Sequence, residues 1–350
     1  MPFRELPSVA AAVMASTVAG CVAVTVALTP SPVTLATGPP GSIYHPVGNA
    51  ICRMFNLAAE HQVRLCVAVS SDGSVANIRR VENGDTTFGL SQTDLAYAAF
   101  HGAGPFFASG PDPKLRMLIA LYPEVFTVIA RADAGIRNFE DLRGRRIGIG
   151  KSGAGYTFTR DVVLAFYGWG ITDPERLLEL GTAEQNQALC DDQVDAIIFE
   201  AGHPNGLTQE ATTGCPSRLV RVAGPQIDRL LAEHPYYTAA VIPGGMYQGN
   251  PNEVTTIGTR AVLVTTGAQP DELAYAVVKA VFENVADFRR LHPALSALDL
   301  KQMVPSEAVV PIHPGALKYY REAWPRCQVA SEAKPDDLCD HRHSTPASSK

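Results

Sequence analysis

Three glycine- and serine-rich turns are the features of this sequence best suited to chemistry. Each follows a short apolar strand and leads into a predicted helix, at residues 38–45, 70–77 and 150–157. Glycine lets the backbone approach a ligand closely, and free N–H groups at a helix start favour an anion. In open α/β sheets the ligand lies outside the carboxyl ends of the strands, where these turns would sit. Together they predict a site for a small anionic or zwitterionic molecule.

Catalytic interpretations of the third turn fit poorly. Residues 148–153 form the dinucleotide pattern G-x-G-x-x-G, and Glu179 could be its acidic partner, but an exported protein has little access to NAD. The nucleophile pattern G-x-S-x-G around Ser152 is missed because Ala154 replaces the last glycine. The nine histidines show no metal-ligand spacing. The sequence therefore predicts no catalytic residues, no cofactor and no metal site.

The composition is that of an ordinary globular protein. The chain has 350 residues, of which 46% are hydrophobic and 18% charged, with a formal net charge of −6. This length favours two α/β domains over one. Because no basic patch or arginine-rich run occurs, nucleic acid is a poor candidate for a partner.

The N-terminus predicts export. Arg4 precedes an apolar run over residues 6–28, which indicates a secretory signal in residues 1–28, with a retained anchor as the alternative. The residues ending in Cys21 resemble a bacterial lipoprotein box, although apolar residues 22–26 follow where a polar tether is usual. We therefore expect a periplasmic or otherwise extracytoplasmic protein, either released or lipid-anchored at Cys21.

The remaining cysteines fit an oxidising compartment. Six are left once Cys21 is set aside, and an even number permits three disulfides. Six cysteines allow 15 connectivities, and pairing of neighbours closes the shortest loops. The predicted pairs are Cys52–Cys66, Cys190–Cys215 and Cys327–Cys339. Buried free thiols are the alternative.

Two extended segments divide the predicted architecture. The long apolar stretch at 115–130 and a second strand at 236–243 are expected to cross between two domains, and a β-rich run at 256–265 returns the chain to the first. The predicted boundaries are 32–122 with 244–326 for domain I, 123–243 for domain II, and 331–350 for a polar tail. The first two turns then lie on one lip of a cleft, and the third lies on the other.

Several motifs occur in register across residues 33–324. They lie at residues 37–48, 52–53, 71–78, 92–97, 202–205, 235–237 and 312–316. As a set they resemble the TAXI family, the solute-binding subunits of TRAP transporters. One departure is the second-domain loop, which usually reads Gly-Ser-Gly-Thr and here reads Gly-Ala-Gly-Tyr at 153–156. This difference is expected to alter ligand choice.

The resemblance implies an α/β, type II periplasmic-binding-protein fold, with two α/β domains around a ligand cleft joined by two crossing strands. It implies a receptor that captures a small organic acid or amino acid and delivers it to an ion-gradient-driven TRAP membrane permease, without ATP. The alternatives are a periplasmic dehydratase or hydrolase on the same fold, and the ligand-binding subunit of a sensory system.

The expected ligand-binding residues follow from their positions on the predicted turns. They are Ser42, Tyr44, Ser71, Gly73, Ser74 and Asn77 on the first lip; Ser152, Gly155, Tyr156 and Thr157 on the second; and Gln92 and Glu200 near the cleft floor. The alternative for Ser42, Ser74 and Thr157 is that their hydroxyls only cap helices.

Overall fold

One mixed sheet organises the fold of this computed structural model, which describes residues 31–58, 64–150, 155–170, 176–305 and 308–324. Its strands are β1 (Val33–Ala36), β2 (Cys66–Val69), β3 (Phe88–Gln92), β4 (Leu115–Arg131), β5 (Arg146–Ile149), β6 (Arg176–Glu179), β7 (Ala196–Ala201), β8 (Ser217–Leu219), β9 (Thr238–Ile242) and β10 (Val254–Thr266). The order is β2-β1-β3-β10-β4-β7-β5-β6, with β8 on β4 and β9 on β10. The predicted α/β class is confirmed.

Helices cover the sheet. They are α1 (Tyr44–Ala58), α2 (Ser74–Glu82), α3 (Thr93–His101), α4 (Tyr156–Phe166), α5 (Thr182–Cys190), α6 (Gly206–Gly214), α7 (Pro225–Glu233), α8 (Asp271–Glu283), α9 (Val285–Arg290), α10 (Leu300–Met303) and α11 (Pro314–Ala323). Short 3₁₀ turns occupy Gly104–Phe106, Phe139–Leu142 and Pro293–Leu295. No helix among the described residues is both long and apolar enough to cross a membrane.

The centre of the sheet is formed by two long antiparallel strands. β4 is 17 residues long and is buried along nearly its whole length, as expected for a strand that reads as a continuous apolar run. It pairs with β10 and β8 on one side and with β7 on the other. The parallel strands β1 to β3 lie beyond β10, and β5 and β6 lie beyond β7.

The segment at 236–243, predicted to cross between domains, contains β9, which pairs with β10 alone among the described strands, and β10 in turn pairs along most of β4. The crossing stays a prediction. Phe106 and Phe107 are adjacent, but only Phe106 is buried; Phe107 is 80% exposed, because it follows the 3₁₀ turn that buries Phe106. The helical stretch formed by α8 and α9 is interrupted at Asn284.

Other predicted features lie partly or wholly outside the described residues. These are the secretory signal with Cys21, Ser152, the polar tail, and the pair Cys327–Cys339. The export signal and the boundaries of domains I and II stay predictions.

Two of the three predicted disulfides are confirmed. Cys52 in α1 is bonded to Cys66 at the start of β2, and Cys190 at the end of α5 is bonded to Cys215 just after α6. Both bonds tie a helix to its neighbouring element, so each closes a loop that would otherwise be free in the unfolded chain.

Removing the second bond should lower stability measurably. The Cys190→Ala/Cys215→Ala double variant opens a loop with a sequence separation of 25, and the chain-entropy model gives a loss of about 3.5 kcal/mol in the free energy of unfolding. Urea unfolding would measure it, with the Cys52→Ala/Cys66→Ala variant, of separation 14, as the matched comparison. Wild-type protein that unfolds identically with and without reductant would contradict this expectation.

Candidate functional site

Three buried carboxyl groups lie at the centre of the molecule. Glu124 in β4 is 6% exposed, Glu200 in β7 is 7% exposed, and Asp94 in the first turn of α3 is fully buried. Buried acids are rare because ionised groups lose their hydration, and they concentrate at functional sites. We call these three residues the acidic cluster.

Strand register brings the two glutamates onto the same face of the sheet. Thr259 of β10 pairs directly with Glu124, and Phe126, two residues further along β4, pairs with Glu200. Directly paired residues of antiparallel strands project to the same face, and so do residues two apart on one strand. Glu124, Glu200 and Thr259 therefore share one face across three adjacent strands.

A hydrogen-bond network connects Glu124 to the first two turns. The Tyr44 hydroxyl donates to Oε2 of Glu124 at 2.7 Å and lies 3.2 Å from Oγ of Ser74. That Oγ accepts a bond from the backbone N–H of Gln92 at 3.2 Å. The serine side chain thus bonds outside its own helix, and α2 has no side-chain cap, so the Ser74 hydroxyl does not cap the helix.

The network continues to Glu200 through β10. The side-chain amide of Gln92 donates to Oγ1 of Thr259 at 3.5 Å. Thr259 donates to Oε1 of Glu200 from its hydroxyl at 2.6 Å and from its backbone N–H at 3.1 Å. The predicted floor residues Gln92 and Glu200 are therefore joined through one threonine.

Asp94 is held by donors from three segments. Its Oδ2 accepts from the hydroxyl of Thr159 in α4 at 2.8 Å and from that of Tyr237 at 3.1 Å, while Oδ1 accepts from the Leu95 N–H at 2.7 Å. These bonds tie α3 to α4 and to the segment before β9.

Burial dominates the titration of the cluster. It raises the pKa of Asp94 from 3.8 to about 6, and its three hydrogen bonds oppose that shift. It raises the pKa of Glu200 from 4.5 to about 8, with repulsion from Asp94 as the next cause. It also raises the pKa of Glu124 well above its usual range, with repulsion from Glu200 adding to the effect. Burial and repulsion therefore favour the protonated form of the two glutamates, while the hydrogen bonds to Asp94 favour its ionised form.

The third turn reaches the network through Gly155, the residue that precedes α4. A Cβ atom at this position would lie 2.0 Å from Oε1 of Gln92 and 3.0 Å from Oγ of Ser74. Only glycine allows the backbone to pass this close. The structure thus brings Ser74, Gln92 and Gly155 together beside the acidic cluster.

Ser71, Gly73 and Asn77 shape the second turn from within. The Asn77 amide, which is fully buried, donates to the carbonyls of Thr37 and Leu90, and its Oδ1 accepts from the Ser71 hydroxyl at 2.5 Å. The Ser71 Oγ in turn accepts from the N–H of Gly73, whose φ of 106° suits glycine. Their side chains brace the turn ahead of α2.

The remaining expected residues that the structure describes are Ser42, Tyr156 and Thr157. The Ser42 Oγ is buried and has no hydrogen-bond partner among the described residues. The Tyr156 hydroxyl accepts from Gln185 at 3.5 Å and lies against Gly150, so its ring faces α5 rather than the acidic cluster. Thr157 is half-buried in the first turn of α4.

Sequence reasoning missed five residues that hold this site together. They are Asp94, Glu124, Thr159, Tyr237 and Thr259. A signal existed for Glu124, which is the one acid in an otherwise apolar strand flanked by basic residues at 116 and 131. Asp94 and Tyr237 lie inside the motifs at 92–97 and 235–237, whereas the two threonines carry no such signal because threonine is common in buried strands and helices.

Comparison with protein families identifies the chain's relatives. The model of the NMT1-like family matches residues 35–323, from β1 through α11. The chain belongs to the NMT1-like family. The matched range includes every residue of the acidic cluster and of the network around it.

The NMT1-like chain also resembles solved structures at low identity. A TctC solute binding protein from Polaromonas is 18% identical, with 79% of this chain and 90% of that chain covered and a TM-score of 0.47. The GluR0 ligand-binding core from Nostoc punctiforme, in complex with L-glutamate, is 12% identical over 74% and 97% of the two chains, with a TM-score of 0.44. The periplasmic aliphatic sulphonate binding protein SsuA from Escherichia coli is 11% identical over 77% and 80%, with a TM-score of 0.40.

Proposed function

We propose that this protein is an extracytoplasmic solute-binding receptor with a type II periplasmic-binding-protein fold. It captures a small organic acid or amino acid in a cleft and delivers it to the membrane subunits of a TRAP permease driven by an ion gradient. The observation that carries the proposal is the close approach of Gly155 to Ser74 and Gln92, beside buried polar groups that belong to separate elements. The resemblance of the sequence motifs to the TAXI family supports the permease partner.

In this proposal the cleft separates domain I, residues 32–122 and 244–326, from domain II, residues 123–243. The turn before α2 contributes one lip, and the turn before α4 contributes the other. Neither helix has a side-chain cap, which leaves first-turn N–H groups to bind a carboxylate. In this proposal the ligand contacts the residues that the sequence predicts on the two lips and on the cleft floor. It also contacts Asp94 and Glu124.

Closure follows from ligand contacts with both lips. A ligand that touches only one lip binds the open and closed forms equally, so it does not change the equilibrium between them. A ligand that bridges α2 and α4 binds the closed form more tightly, and this difference drives the closure. Transport requires no bond making or breaking in such a receptor.

Ligand binding should contract the protein. Native mass spectrometry of freshly purified protein would identify a copurified small molecule, and denaturation with dialysis before refolding would remove it. Small-angle scattering should then show a smaller radius of gyration when the molecule is returned. Unchanged scattering with tight binding would contradict the closing cleft, and chemical turnover of the molecule would favour an enzyme instead.

A further inference from the structure

We propose that the ligand carries a protonated amine and that Asp94, Glu124 and Glu200 bind it. This inference rests on the proposed receptor function and narrows its ligand class. It selects amino acids and amines over organic acids that carry carboxylates alone. The carboxylate of an amino acid would lie at the starts of α2 and α4, and its ammonium group would lie at the acidic cluster.

The first observation is an unpartnered oxygen on Glu200. Oε1 accepts both bonds from Thr259, whereas Oε2 is buried and has no hydrogen-bond partner among the described residues. A buried oxygen left without a donor costs free energy, and native structures rarely tolerate one without a reason. An ammonium group, which has three donors and no acceptor, would satisfy it.

The second observation is an unpartnered hydroxyl on Tyr122. This residue precedes Glu124 by two positions on β4. Tyr122 is 1% exposed, and its hydroxyl has no hydrogen-bond partner among the described residues. The Glu124 carboxyl is close enough to raise the pKa of this phenol. The hydroxyl oxygen is therefore a second free acceptor beside the cluster.

The acidic cluster can carry only negative charge, so it attracts a cation. Asp94 raises the pKa of Glu200 and of Glu124 by repulsion, and Glu200 raises that of Glu124. None of the three forms an ion pair with arginine or lysine in the described part of the chain. The other groups that face the cluster are neutral: the hydroxyls of Tyr44, Tyr237, Thr159 and Thr259 and the amide of Gln92. A dicarboxylate would add like charge here, whereas an ammonium group would offset it.

Matched pairs of probes that differ only in the amine test this inference. Suitable pairs are L-glutamate with glutarate, L-leucine with 4-methylpentanoate, and 4-aminobutyrate with butyrate, with putrescine as a plain diamine. Titration calorimetry should find amines that bind about 10- to 100-fold more tightly than their partners, the factor expected when a charged hydrogen-bonded group is lost. Binding of putrescine but of no amino acid would assign the site to amines without a carboxylate.

Two variants connect the binding to the cluster. Glu200→Gln should weaken amine binding about 10- to 100-fold, and Tyr122→Phe should weaken it less. The control is Glu253→Gln, which changes an exposed acid beside β10 and should have no effect.

Binding of the amine should also release a proton from Glu200, because a nearby cation lowers a carboxyl pKa. Calorimetry in buffers of different ionisation enthalpy measures this release, which a purely structural glutamate would not produce.

Several outcomes would overturn the inference. Equal or tighter binding of the probe without an amine would do so, as would stabilisation by a metal ion alone or unchanged amine affinity in Glu200→Gln. If the molecule that copurifies lacks an amine but still contracts the protein, the receptor function stands and the inference fails. If no probe and no copurified molecule binds, the receptor function itself fails, and the inference fails with it.

Discussion

The Gly155→Val variant should lose ligand binding by about 10- to 100-fold while the protein remains folded. Its φ and ψ of −53° and −45° are ordinary helical values that valine accepts, so the substitution causes no backbone strain. The obstacle is the approach to Gln92 and Ser74, which the added Cβ would meet at 2.0 and 3.0 Å. The variant should therefore be excluded from the form in which the third turn contacts the second.

Gly206→Val is a matched control for this experiment. Gly206 begins α6 much as Gly155 precedes α4, but an added Cβ there would meet nothing within 4 Å. Circular dichroism should show both variants folded, and small-angle scattering with the copurified ligand should show contraction for Gly206→Val alone. Tight binding and contraction in Gly155→Val would mean that the cleft lies elsewhere.

The ligand-free protein should become less stable as the pH rises from 6.5 to 8. Glu200 has a folded pKa of about 8 and an ordinary value of 4.5, so between these values the folded state keeps a proton that the unfolded chain has released. Stability then falls by about 1.4 kcal/mol for each pH unit, or about 2 kcal/mol over this window for Glu200 alone. Glu124, whose pKa is also raised, acts in the same direction.

The window avoids an opposing effect from buried histidine. His203 bonds to Thr127 and Tyr247, and burial lowers its pKa to about 4, so its contribution rises with pH and is complete near pH 6.5. Urea unfolding at a series of pH values should show a flatter profile for Glu200→Gln than for wild type, and greater stability of that variant at pH 8. Parallel profiles for the two proteins would rule out Glu200 as the cause, and Glu253→Gln should keep the wild-type slope.

Most of the fold could be predicted because its elements have strong local signals. The alternation of apolar strands with helices is regular, β4 reads as one apolar run, and the turns carry glycine at the points where the backbone bends. α6 has no such signal, because its residues include two glycines and three threonines and so have weak helix propensity. Asn205 compensates by capping the helix, since its Oδ1 accepts from the N–H of Thr208 at 2.8 Å.

Only part of the candidate site could be predicted from the sequence. The turns are local features, so Ser74, Gln92 and Gly155 could be singled out from their spacing. The acidic cluster depends on strand register, which places Glu124 beside Thr259 and near Glu200 although these residues are far apart in the chain. Register is set by the pairing of whole strands, and no local pattern reports it.

The pairing of β3 with β10 has a consequence for the order of events during synthesis. Gln92 pairs with Ala261, so the first strands to leave the ribosome have no antiparallel neighbour until most of the chain has followed. Long-range pairing of this kind raises contact order and slows folding. An unfinished sheet edge would therefore persist through most of translation. If the predicted secretory signal directs export, this delay would leave the polypeptide unfolded for passage through a narrow translocation pore.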